Sequence, residues 1–367
     1  MSDSTLAELQ KELEQLDASY LEGYAGKDRS TVDPGGLVEL GGRAKRALDR
    51  VDALGALTAG EEVTKLRAEL EQRVDLYERE KRMVAAAREM GPAFERFGVE
   101  GAAANFVFDR YNRHFAGQSR DTRDLGLIKE MVEELKGIKK RMLAIGGKKL
   151  PEPMQADVDI VNSNIERYQL EEREIPKAQT TGTSEEQADR WAFLANQQFA
   201  VYANHFAGKS RLTRRPALLV RLCDNLKRYR TGMFDLKNRG LDSQSNTNNI
   251  GIVDGRLSAY EKELVEIRKV RSGVKLVDIM GALGNAANEL FAEYRDNYAG
   301  KDRTGVDLER LGLMLDQLDE IRRQMEELGR VEKNEVNSKN QNVVREYQAN
   351  WVREWQAVRA AQQTGAA

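Results

Sequence analysis

The sequence predicts an all-α fold of four tandem three-helix repeats, about twelve helices in all. Two observations carry that prediction. One is a phrase that occurs four times: Tyr24-Ala25-Gly26-Lys27-Asp28-Arg29, Phe115-Ala116-Gly117-Gln118-Ser119-Arg120, Phe206-Ala207-Gly208-Lys209-Ser210-Arg211 and Tyr298-Ala299-Gly300-Lys301-Asp302-Arg303. Its aromatic recurs after 91, 91 and 92 residues, so the architecture is set one repeat at a time. The other is an apolar stripe of heptad type that follows every phrase. The repeats are bounded as residues 1–90, 91–183, 184–273 and 274–367.

The first helix of each repeat precedes the phrase. In the first copy it starts with Thr5 as N-cap and Glu8 closing a capping box, and it buries Leu9, Leu13 and Leu16. Tyr20, Tyr111, Tyr202 and Tyr294 each stand one turn before the phrase aromatic, on the same face, with Phe108, Phe199 and Phe291 further upstream. The phrase glycine suits the left-handed position that ends a helix. Thr31, Thr122, Thr213 and Thr304 are then expected to cap the second helix, with Pro34 and Pro216 in its first turn.

The second helix carries the stripe: Leu37, Leu40, Ala44, Ala47, Val51 and Leu54 in the first copy. In the second it is Ile128, Met131, Leu135, Ile138, Met142 and Ile145, and in the third Leu219, Leu222, Leu226, Tyr229, Met233 and Leu236. The fourth has Leu311, Met314, Leu318, Ile321, Met325 and Leu328. Alternating steps of three and four place each set on one face, packed lengthwise on helical neighbours. The methionines of the stripe read as core rather than as a partner groove. A third helix is marked by Tyr77, Tyr168, Tyr260 and Trp351, and an Asn-rich linker (Asn246, Asn248, Asn249; Asn334, Asn337, Asn340, Asn342) is expected to be a surface loop. Gly91-Pro92, Pro176 to Ser184 and Ser272-Gly273 read as breaks between repeats.

An odd number of short-looped helices delivers the chain to the end opposite its entry. End-to-end continuation gives a rod, and side-by-side continuation gives a compact array. The layout resembles that of spectrin-type three-helix repeats, without a shared motif. The breaks between repeats differ from the continuous linker helix of that family.

Composition narrows the functional classes. The chain is 32% charged with 6 Pro, as long solvated helices require, and a single Cys excludes a disulfide framework or a zinc-finger array. The expectation is a cytoplasmic protein with no membrane span and no leader. Formal charge is uneven: −5 over residues 1–89, 0 over 90–184, +7 over 185–276 and −4 over 277–367. The third segment holds a basic run of Arg211, Arg214, Arg215, Arg221, Lys227, Arg228 and Arg230. That run reads as a solvated face, or as a contact for an acidic partner such as another copy's first or fourth repeat, or for a polyanion.

The phrase itself has two readings. As a hairpin, its Gly ends one helix and its Arg binds carbonyls or stacks on the ring one turn back. As an anion site, it offers Lys27, Arg29, Arg120, Lys209, Arg211, Arg214, Arg215, Lys301 and Arg303. Asp28 and Asp302 cancel charge in two copies.

Enzymatic signatures are not met. Gly208-Lys209-Ser210 lacks the upstream Gly of a phosphate loop, having Ala203 there. His114 and His205 correspond to Gly23 and Asn297 in the other copies, so they read as polar residues near a helix C-terminus. Asp157-x-Asp159 lacks the rest of a calcium loop, no Glu-x-x-His pair occurs, and Cys223 reads as a small buried hydrophobe. No catalytic, metal or cofactor site is expected. The function expected is a non-enzymatic scaffold that binds proteins, itself included, with a polyanion or phosphate-ligand module as the alternative and an enzyme with a site between repeats as a third.

Overall fold

The computed structural model describes residues 2–55, 60–147, 149–240 and 243–365. Among these lie twelve α-helices, one 3-10 turn at Arg120–Thr122, and no strand. The helices are α1 (Ser2–Gly23), α2 (Pro34–Gly55), α3 (Glu61–Met90), α4 (Pro92–Phe115), α5 (Leu125–Gly146) and α6 (Glu152–Gln179). They continue as α7 (Ser184–His205), α8 (Pro216–Asn238), α9 (Gln244–Ser272), α10 (Leu276–Asn297), α11 (Leu308–Val331) and α12 (Glu335–Gly365). The phrases join α1 to α2, α4 to α5, α7 to α8 and α10 to α11. Every stripe residue is buried except Leu54 and Ile145, which lie in the last turns of their helices and are half-buried. Tyr77, Tyr168, Tyr260 and Trp351 are buried as well.

Four local expectations are corrected. Helix α1 already runs from Ser2, so Thr5 lies inside its first turn and does not cap it. Ser2, Ser4 and Thr5 all suit an N-cap, and residue type alone does not choose among them. The phrase threonines do not cap the second helices. Thr31 donates its hydroxyl to the Asp28 carbonyl (2.9 Å), and Thr122 and Thr213 do the same to Ser119 and Ser210 (3.0 Å each). Thr304 donates to the Asp302 carboxylate at 2.9 Å. Capping falls to the aspartates just downstream: Asp33 accepts from the Gly35 amide (3.0 Å), Asp124 from Leu127 (3.0 Å) and Asp307 from Arg310 (2.8 Å).

Apart from Asn334, which directly precedes α12, the Asn-rich stretches are helical, not loop. Asn246 and Asn337 are each 1% exposed, and their amides donate to the carbonyls of Met233 (3.0 Å) and Met325 (3.1 Å) on the neighbouring second helices. Pro176 lies inside α6, which runs on to Gln179. The separation falls at 180–183, where Thr183 and Glu186 form the capping box of α7.

The chain divides into two units. One comprises residues 1–104 and 135–164; the other comprises 105–134 and 165–367. The first unit holds a core of Leu9, Leu16, Ala44, Val51, Leu70 and Tyr77, with Leu37 and Val84 beneath the first phrase. In the second unit one apolar cluster runs along α7–α9 and another along α10–α12. Within it α11 is enclosed on every face. Leu311, Met314, Leu318 and Met325 fill the apolar side, while Gln317, Asp319, Glu320, Arg322, Arg323 and Gln324 are buried on the others. Residues from α4, α5 and α7 and from the turn before α8 meet those polar groups, so the helices of this unit pack side by side.

Candidate functional site

The tyrosines one turn before the phrase aromatics pack on the third helix before the turn is made. Tyr20, Tyr111, Tyr202 and Tyr294 lie against the third-helix aromatics Tyr77, Tyr168, Tyr260 and Trp351, with ring centroids 5.5, 4.4, 4.0 and 4.7 Å apart. Burial pushes the phenols of Tyr77, Tyr168 and Tyr260 up to about 12. The chain then turns through Gly26, Gly117, Gly208 and Gly300, whose φ angles are 72°, 80°, 70° and 70°. An L-side chain is strained there, which explains why glycine occupies all four positions.

The phrase arginine then points at a carboxylate three residues beyond the third-helix aromatic. Arg29 pairs with Glu80 (3.0 Å), Arg120 with Glu171 (2.8 Å), Arg211 with Glu263 (2.9 Å) and Arg303 with Glu354 (2.9 Å). Each engages its glutamate through Nε as well, in the two-pronged geometry that guanidinium favours. A second contact recurs beside it. Arg88, Gln179, Arg271 and Gln362 donate to the carbonyls of Val32 (2.9 Å), Arg123 (2.8 Å), Arg214 (2.9 Å) and Val306 (2.9 Å). Each hairpin tip is therefore clamped to its third helix at two points.

The four turns fall into two kinds. In the first and fourth, a tyrosine hydroxyl spans the loop: Tyr24 donates to the Asp33 carbonyl (2.9 Å) and Tyr298 to Asp307 (3.1 Å). In the second and third the aromatic is Phe, and Val32 and Val306 give way to Arg123 and Arg214. These reach the same glutamates as the phrase arginines, Glu171 (2.6 Å) and Glu263, and also bond the carbonyls of Gln118 (2.8 Å) and Lys209 (2.5 Å). The third turn departs further. Where the others have a capping aspartate it has Arg215, which is 8% exposed and caps nothing.

Arg215 instead enters a buried ion cluster. It bonds Glu130 (2.7 Å), Glu320 (3.3 Å) and Glu327 (2.7 Å). Arg221 and Arg323 also reach Glu130. Arg110 joins Glu134 (2.6 Å) to Asp319 (2.8 Å), and Arg322 joins Asp319 (2.7 Å) to Glu326 (2.9 Å) with its guanidinium over the Phe106 ring. Burial alone would raise the Glu130 carboxyl, but Arg323, Arg221 and Arg215 hold it well below the usual carboxylate range. The rest of the basic run is engaged too. Lys227 pairs with Glu261 and Arg230 with Asp254, while Arg228 lies over Trp191 and bonds Gln179. Every member of the basic run thus meets a partner within its own unit.

Of the candidate anion contacts, Arg29, Arg120, Arg211, Arg214, Arg215 and Arg303 are all ion-paired. Among the described residues Lys27, Lys209 and Lys301 form no ion pair, and all three are exposed. The two histidines come together at one acid: His114 Nε2 is 3.1 Å from Asp316 Oδ1. Burial would raise Asp316, but His114, Arg113 and His205 hold it well below the usual range. His205 is itself lowered by burial, against the pull of Glu320 and Asp316. Cys223 is buried, and burial pushes its thiol up to about 11. Among the described residues no group of three or more His, Cys, Asp or Glu is placed to hold a metal, and no helix is long and apolar enough to cross a membrane.

Comparison with known protein families, with curated proteins and with solved structures finds no match. The glutamates of the clamp went unread although they carry the same period as the arginines: Glu80, Glu171, Glu263 and Glu354 recur after 91, 92 and 91 residues. The donors at 88, 179, 271 and 362 alternate between Arg and Gln, so identity alone hides them.

Proposed function

We propose that this chain is a non-enzymatic helical scaffold that engages other proteins, second copies of itself included. The observation that carries this reading is the clamp. The one element repeated four times pairs its Arg with a Glu of its own repeat at each turn. A motif used in that way sets the geometry of a module, and segments 1–90, 91–183, 184–273 and 274–367 are then four copies of it. The buried ion cluster supports the same reading, since it fixes several segments against one helix.

Light scattering over a concentration series, at low and high salt, tests self-association. Growth in mass with concentration supports it, and a strict monomer at high concentration in low salt removes the self-assembly part. A polyanion module would have to rest on Lys27, Lys209 and Lys301. Titration with nucleic acid and polyphosphate, repeated on the triple Lys→Ala variant, decides that alternative: binding that the variant loses would replace the scaffold reading.

A further inference from the structure

The four hairpin turns differ in what they lie against. The second turn lies across α7 and α8. Asp121 pairs with Arg190 of α7 (2.9 Å), and Asp124 accepts from Gln198 of α7 (3.3 Å) and Asn225 of α8 (2.8 Å). The third turn lies on α11. Leu212 packs on the α10–α12 cluster, the Thr213 carbonyl accepts from Gln324 (2.8 Å), and Arg215 pairs with Glu320 (3.3 Å) and Glu327 (2.7 Å). The periods of 91, 91 and 92 residues put these contacts in register: Arg215 stands where Asp124 does, and Gln317 and Glu320 stand where Asn225 and Arg228 do. Each of these two turns therefore docks on the second helix of the segment that follows it.

The fourth turn is bare by comparison. Thr304, Asp307 and Glu309, in register with Asp121, Asp124 and Gly126, are all exposed. Asp302, Asp307 and Glu309 form no ion pair among the described residues, and Lys301 offsets only one of the three charges. The receiving rows differ in the same way. On α8 the row that starts at Asn225 is covered by the second turn, and on α11 the row that starts at Gln317 is covered by the third. On α5 the equivalent Glu134 is taken by Arg110 (2.6 Å) and by Arg323 of α11 (3.3 Å). On α2 the same positions are Arg43 and Arg46. Arg46 is exposed, Arg43 is half-buried, and neither forms an ion pair among the described residues. The acids beside them on α1, Glu8 and Glu12, are held by Arg50. Glu39 of α2 and Lys11 of α1 offset each other in formal charge, which leaves this face basic.

We propose that the fourth turn and the start of α11 of one copy dock on the α1–α2 face of a second copy, a contact that rests on self-association of the chain and gives it two surfaces. Asp302, Asp307 and Glu309 then face Arg43 and Arg46. Complementary charge of this kind steers encounter and fixes register. The contact repeats a junction that the chain already makes twice within itself. At the second turn Asp124 sits on Asn225, and the residues in register are Asp307 and Arg43. At the third turn Arg215 sits on Glu320, and the residues in register are Asp307 and Arg46, the same two positions with their charges exchanged. Two different surfaces meet, so each copy can bind two others, and the contacts build a ring or an open chain.

Sedimentation velocity of the full chain and of two charge variants tests it. One variant is Arg46→Glu. The other combines Asp302→Ser with Glu309→Lys; serine already stands at the first of these positions in the second and third turns. All three side chains are exposed and unpaired, so the fold is retained. The wild type should gain mass with concentration, and less so at high salt. Each variant alone should associate roughly tenfold or more weakly, because like charges then oppose each other. An equimolar mixture of the two should recover association, because one variant keeps the acidic turn and the other keeps Arg46. Wild-type association that survives both variants, or that the mixture does not recover, overturns this contact and leaves self-association to another surface. Loss with Arg46→Glu alone also overturns it, in favour of the exposed first turn with Asp28 and Asp33 as the docking element. A wild type that stays monomeric at every concentration and salt overturns the contact and self-association together.

Discussion

Arg110 and Asp319, 209 residues apart in the chain, meet at 2.8 Å where neither side chain is more than 5% exposed. Asp319 also accepts from Arg322 (2.7 Å) and Gln348 (2.9 Å), so one carboxylate gathers three donors from three helices. Removing it leaves two buried guanidinium groups short of a counter-charge. Asp319→Ala should therefore destabilise the protein by about 3–5 kcal/mol, the range for breaking a buried pair on one side. Urea denaturation measures this. Asp296→Ala, which breaks the exposed Arg295–Asp296 pair, should leave the midpoint unchanged. Equal effects from the two would mean that the buried cluster contributes no more than a surface contact.

The clamp should weaken in a graded way. Glu171 is 8% exposed and holds both Arg120 and Arg123, whereas Glu354 is 21% exposed and holds Arg303 alone. Glu171→Ala strands the enclosed Arg123 and should lower stability by about 1–3 kcal/mol, the cost of an unmet buried charge partner. Glu354→Ala should cost less, because Arg303 remains solvated. Thermal unfolding of the two variants side by side gives the order, and the reverse order would remove the clamp's second arginine from the account.

Gly117 tests the turn itself. Its φ of 80° lies in the region that an L-side chain enters at a cost, and a Cβ there would meet nothing within 4 Å. Gly117→Ala should thus destabilise by about 1–2 kcal/mol from backbone strain alone. Gly98→Ala, inside α4 at an ordinary helical φ and likewise in open space, should be neutral or stabilising. The contrast between two Gly→Ala changes separates strain from packing.

Stability should fall with acid in two limbs. His205 is lowered in the folded chain from an ordinary value near 6.5. Below that pH the unfolded chain takes up a proton that the folded one resists, so stability declines as pH drops through the range beneath 6.5. Glu130, Asp316 and Asp319 are likewise lowered, from 4.5 and 3.8, and their contribution is present above those values and lost as pH falls further. The thermal midpoint should hold steady above pH 7, decline gently towards pH 5 and drop steeply below pH 4. His205→Gln should flatten the first limb and spare the second. A wild-type midpoint that is constant from pH 7 to pH 5 would contradict the first.

How far these features could be read in advance depended on whether they repeat. The stripes were legible because Leu222, Met233 and their counterparts obey a local period that any packed helix must satisfy. The hairpins were legible because only glycine is comfortable where Gly26 and Gly208 sit. Half of the clamp was legible: Arg29 and its equivalents stood out inside a phrase, while Glu80 and its equivalents lie 51 or 52 residues away in otherwise variable helices. The ion cluster was not legible. Nothing local in the polar run Asp319, Glu320, Arg322 and Arg323 of α11 marks it as interior; only the arrival of Arg110, Arg215 and Glu130 from elsewhere in the chain makes that face so. Gln317 was hidden for the same reason.

Arg215 offers the sharpest test of that tertiary override. The aligned residues Asp33, Asp124 and Asp307 cap their helices, so Arg215→Asp restores the pattern of the other three turns. Local reasoning alone assigns it a gain of about 1 kcal/mol from the new N-cap. In the folded chain, however, the new carboxylate would lie beside Glu130, Glu320 and Glu327 and would remove the cation that holds them together. The cluster term is larger, so Arg215→Asp should destabilise by about 3 kcal/mol or more. Asp307→Ala, which loses only a cap, should cost about 1 kcal/mol. Denaturant midpoints of the two variants decide the matter. A stabilised Arg215→Asp would show that capping, not the buried cluster, governs this position.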